Sequence, residues 1–231
     1  EAPGAEAVSA PVRIFDRAVL VPGLHVGRRA SAPISKGILL ATGKRTLPLW
    51  RMATLGYDGY VATIKGHTHD AMFVIDPEDG RLKIADALAG NVGKCVLTEI
   101  EEWEKGCLEN GDKVIVGRPF GSSNAQLAAA AAWWVGHIAG KRYDKVALAA
   151  LLRKAVLGDW IPYHVGNDRQ FFCTEGVIHA YAKGAMIDPC WPEPNPTPGT
   201  MYRSYEDGRM VPEANALTEF GQRYALELKP A

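Results

Sequence analysis

The 231 residues carry 26 Lys plus Arg against 26 Asp plus Glu, a balance that argues against nucleic acid or an anionic membrane surface as partner. Apolar residues make up 47% and charged residues 23%, enough to fill one ordinary core, so a single domain over 1–231 is expected. The longest apolar run, LAAAAAWWVGHIAG at 127–140, is too short to cross a bilayer and contains His137; it reads as a buried helix, and no integral membrane segment is expected.

Residues 1–24 read as an extended arm with few core signals. Their opening, EAPGAEAVSAP, has the composition of a flexible leader left after removal of an export signal. An exported, periplasmic or secreted setting is expected on that ground, with the cytoplasm as the alternative. GILLATG (37–43), YVATIKG (60–66), AMFVID (71–76) and LKIADAL (82–88) are short apolar runs separated by Gly, Pro and Asp, as strands are. The turn sequence PEDG (77–80) predicts that the strands at 70–76 and 82–88 form a hairpin. KCVLT (94–98) and DKVIVGR (112–118) continue the series around a short helix, for which Thr98 and Glu101 make a capping box.

After Arg118 the pattern turns helical. Residues 122–140 and 143–158 each end in Gly, and a third helix is expected within FFCTEGVIHAYAKG (171–184). WPEPNPTPG (191–199) is too rich in Pro for regular structure, and 216–228 predicts a final helix. Strands in one block and helices in the next predict an α+β fold, an antiparallel sheet over about 37–118 packed against helices.

None of the four cysteines forms a CxxC pair. Cys95 and Cys107 flank a short acidic segment and would form a disulfide in an oxidising compartment; two buried thiols are the alternative. Cys173 falls at the expected first turn of a helix, where the dipole favours thiolate over thiol and a free backbone N–H faces a developing oxyanion. A small core residue behind Phe171 and Phe172 is the plainer reading of the same position. His69, in GHTHDAMFV, stands at the mouth of a strand, a place from which a general base projects into a cleft. His67 lies two residues away and shares its side of an extended chain; the pair also suits a metal, although a third ligand at diagnostic spacing is missing. Asp86, on the partner strand, is placed to orient an imidazole or to be an ordinary strand-end carboxylate. Glu101, Glu102 and Glu104 read as a solvated helix face, and Glu175 as a first-turn carboxylate stabilised by the dipole.

Taken together, GHTHDAMFVID, LKIADAL, VIVGRP (114–119), GKRYD (140–144), FFCTEGVIHAY (171–181) and PNPTPGTMYRS (194–204) resemble, in content and order, the motifs of the YiiX-like branch of NlpC-type cysteine hydrolases. The likeness spans roughly 55–205. It implies a circularly permuted papain-like fold in which the His strand precedes the nucleophile helix. It further implies Cys173 as nucleophile, His69 as base, Asp86 as the orienting third residue, no cofactor, and a peptide, peptidoglycan or acyl-lipid substrate. Thr174 replaces the usual Ser, Asp86 is one methylene shorter than the usual Glu, and Asp70 stands where an apolar or small residue is usual. The charge of Asp70 is expected to raise the pKa of His69. A catalytically silent binding module, with Trp133, Trp134 and the 191–199 segment as partner surface, and a metal-dependent hydrolase using His67 and His69 are the competing readings.

Overall fold

The computed structural model describes residues 12–29, 69–88, 93–144, 169–191 and 197–228. The strand runs at 37–43 and 60–66, His67, most of the Pro-rich segment and all but the first two residues of the helix expected over 143–158 lie outside the described residues; of those two, Tyr143 ends a β-strand instead.

The described chain is α+β. Eight strands, β1 (His25–Arg29), β2 (His69–Ile75), β3 (Leu82–Leu88), β4 (Lys94–Thr98), β5 (Lys113–Pro119), β6 (Arg142–Tyr143), β7 (Gln170–Phe171) and β8 (Met210–Pro212), form one sheet. Their order is β7-β6-β4-β3-β2-β1-β5-β8. Every pairing is antiparallel except that of β6 with β7. The helices are α1 (Ile100–Asn110), α2 (Asn124–His137), α3 (Cys173–His179), which runs on as a π-helical segment over Ala180–Ala185, and α4 (Pro198–Glu206).

The expected hairpin is present. Asp76 N–H donates to Arg81 O, Gly80 N–H donates to Asp76 O with Gly80 at φ 70°, and Asp76 Oδ1 accepts from Glu78 N–H. The register sets Met72 opposite Ala85 and Phe73 opposite Ile84. Helix α2 is closed at its start by a Ser123–Gln126 capping box. It packs against the π-helical segment at Gly184, where a Cβ would sit 2.8 Å from Ala129 O and Ala130 Cα.

Five expectations are corrected. Residues 12–24 are not a loose arm: Ile14, Phe15 and Leu24 are buried, and Phe15 packs edge-on against Phe73 with ring centroids 5.4 Å apart. Glu104 is not solvated; its buried carboxylate accepts from Ile14 N–H (2.9 Å) and Phe15 N–H (2.8 Å) and pairs with Arg17 (2.7 Å), tying the N-terminal stretch to α1. Helix α1 takes Glu99 rather than Thr98 as its N-cap, because Thr98 is still in the β-ladder opposite Ile84. No disulfide joins Cys95 and Cys107; both are free and buried. Cys95 lies near Asp86, Glu175 and Lys141, whereas Cys107 lies near Arg28, Asp112 and Glu104. Residues 216–228 form a short 3-10 turn at Gly221–Tyr224 in place of a helix, since Thr218 bonds back to Arg13 O (2.6 Å) and Leu217 bridges Phe15.

Removing the Glu104 carboxylate strands two backbone donors and half of a buried ion pair. Glu104→Ala should therefore lower unfolding free energy by about 3 kcal/mol in urea denaturation. Glu101→Ala, at the exposed end of the same Arg17 cluster, should cost about 0.5 kcal/mol or less.

Candidate active site

His69 is the first residue of β2 and Asp86 the fifth of β3. Carrying the hairpin register one residue beyond Met72–Ala85 sets Asp86 opposite Ala71, so it stands diagonal to His69 on the same side of the ladder. The distance from His69 Nε2 to Asp86 Oδ1 is 2.6 Å. A carboxylate only accepts, so Nε2 carries the proton in this bond and Nδ1 is left to face another group. The Cys173 thiol is the imidazole's other hydrogen-bond neighbour.

Cys173 opens α3. Phe172, its N-cap, is extended (φ −99°, ψ 173°), and its N–H reaches back 3.4 Å to the Glu175 carboxylate. Glu175 is buried, which fits its expected structural place in the first turn. The helix presents almost its whole length to the core, with Thr174, Val177 and Ile178 buried. The sheet hairpin and the α3 start thus bring Cys173, His69 and Asp86 into one cluster. His67 lies outside the described residues, and no group of three or more His, Cys, Asp or Glu set to hold a metal occurs among the described residues.

Burial alone would depress the His69 imidazole. The Asp86 carboxylate and then Cys173 outweigh it, and the pKa rises from 6.5 to about 10. Asp70 is not among the principal causes. It points instead to His25 (Nε2 to Oδ1, 2.9 Å) and to Thr174, whose Oγ1 donates to Oδ2 at 2.7 Å, so the expectation that its charge raises His69 is corrected. Burial pushes the Cys95, Cys107 and Cys190 thiols each up to about 12.

Two residues beside this site, His25 and Tyr205, carry no local signal in the sequence. His25, wholly buried on β1, meets Tyr205 of α4 through Nδ1 at 2.7 Å. Gly117, opposite His25 on β5, leaves room for that phenol: a Cβ there would lie 2.6 Å from both Tyr205 Cε1 and Val211 O.

No family model matches the chain, and no curated protein matches it. Among solved structures, the chain is similar to the metalloprotein YiiX from Escherichia coli O157:H7, at 18% identity and a TM-score of 0.41, over 86% of this chain and 94% of that one. A likeness at that level decides neither fold nor chemistry, and the site stands on its own geometry.

Because the folded pKa of His69 exceeds its unfolded value, the stability it contributes is fully present below about pH 6.5 and is lost as pH rises through about 10. Imidazole NMR should find His69 protonated at neutral pH. Asp86→Asn should move its titration down toward 6.5 and flatten the alkaline loss of stability.

Proposed function

We propose that the chain is a cysteine hydrolase or acyltransferase. The observation that carries this reading is the cluster of Cys173 at a helix start with His69 and the Asp86 carboxylate of the hairpin, three groups of complementary chemistry brought together from two distant parts of the sequence. Asp86 holds the imidazole by Nε2 and stabilises its charge, and the charge in turn favours the Cys173 thiolate. Sγ attacks an acyl carbon, forming the S–C bond while the bond to the amine or alcohol breaks; the His69 proton goes to the leaving group. Water or an acceptor amine then attacks the thioester, returns its proton to His69 and releases Sγ. The residues that do this need no cofactor. Peptide, peptidoglycan and acyl-lipid carbonyls are the substrate classes to which the reading extends, through the resemblance set out under Sequence analysis.

Iodoacetamide at neutral pH, read out by peptide mass mapping, tests the nucleophile without a substrate. Cys173 should label first, since Cys95, Cys107 and Cys190 are held protonated by burial. Four cysteines labelling alike would leave a silent binding module as the better reading. Once peptidoglycan fragments and acyl lipids have been screened, Cys173→Ala and His69→Ala should each lower turnover by roughly a thousandfold or more. Asp86→Ala should lower kcat far more than it lowers thermal stability.

A further inference from the structure

Consecutive residues of β2 meet consecutive residues of α3: His69 faces Cys173, and Asp70 binds Thr174. The first contact is the chemistry of the proposed reaction. The second is a directional bond, 2.7 Å from Thr174 Oγ1 to a fully buried carboxylate, set one residue away from the nucleophile. Apolar packing of Val177 and Ile178 holds α3 against the sheet but does little to fix where along β2 its first turn stops. A helix that slides by a fraction of an ångström keeps its burial and loses the Cys173–His69 geometry.

Asp70 is itself held. Its Oδ1 is taken by His25 Nε2, the other imidazole nitrogen meets the Tyr205 hydroxyl, and that phenol fits only because position 117 is Gly. β1, β2, β5, α3 and α4 each contribute one group to this buried chain. Thr174 Oγ1 also lies 3.8 Å from Cys173 Sγ. With its proton given to Asp70, the hydroxyl has none to give the sulfur, so it does not compete with His69 as the donor there.

We propose that Asp70 is a positioning residue for the nucleophile: through the Thr174 hydroxyl it sets the register of α3 on β2 and so delivers Cys173 to His69. The proposal rests on Cys173 being the nucleophile, and its test separates the two. Thr174→Val keeps the shape and deletes the hydroxyl; Thr174→Ser keeps the hydroxyl. In Thr174→Val, iodoacetamide labelling of Cys173 should slow by roughly tenfold or more. The His69 titration should also fall from about 10, because Cys173 is one of the groups that raise it. Thr174→Ser should retain the wild-type rate and titration. Should Thr174→Val not fold, Thr174→Ala, which adds no bulk beside Asp70, gives the same comparison. A folded hydroxyl-free variant that is less stable but labels and titrates like wild type overturns the proposal and makes Asp70 a structural residue. Wild-type protein in which Cys173 does not label preferentially overturns the nucleophile assignment instead.

Discussion

A carboxylate with 0% exposure is costly to keep charged, and Asp70 tolerates its position only because donors surround it. Thr174 and His25 supply two of those hydrogen bonds, and Tyr205 completes His25 in turn. The elements that provide them are thereby obliged to lie together. β1 must sit beside β2, α3 must start over it, and α4 must return across the sheet. The side chains of the proposed reaction occupy the residues next to this knot, His69 before Asp70 and Cys173 before Thr174.

Two imidazole–carboxylate pairs therefore stand back to back on neighbouring residues, yet in different surroundings. His69–Asp86 keeps some access to solvent, with the imidazole side chain 13% exposed and a thiol as its third neighbour. His25–Asp70 is closed off completely and ends in a phenol whose pKa burial drives well above its usual value. One pair has a thiol as its third member, and the other a buried phenol. Identical residue types acquire different work from burial and from the third group in each chain.

The hairpin and the start of α3 were legible in the sequence because their signals are local. Alternation and PEDG specify β2–β3, and FFC before an apolar helical spacing specifies the start of α3. The buried knot was not legible, since His25 and Tyr205 are 180 residues apart and neither sits in a pattern. Other omissions had a readable cause. Glu104 lies on the same stripe as Ile100, Trp103 and Cys107, at helical spacing, and that stripe is the buried face of α1. Thr197 followed by Pro198 is an N-cap with Pro at N1, which starts α4 inside a segment whose Pro content read as irregular. Expecting a helix at 216–228 failed because tertiary bonds from Thr218 to the Arg13–Ile14 backbone outcompeted local helical composition.

The place of β1 has a consequence for how the chain reaches its native state. This strand comes first among those described, yet it lies between β2 and β5, and the neighbouring 14–15 segment is clasped by residues 217–218. Much of the sheet is closed by pairings of large sequence separation, for which loop entropy is lost before the contacts form. During synthesis β1 must wait, unpaired, until β2 and then β5 have emerged. Tyr205 arrives later still, so the cavity that holds His25 stays incomplete until α4 folds over it. The hydrogen-bonded chain from Thr174 through Asp70 and His25 to Tyr205 is therefore completed only when the last helix folds.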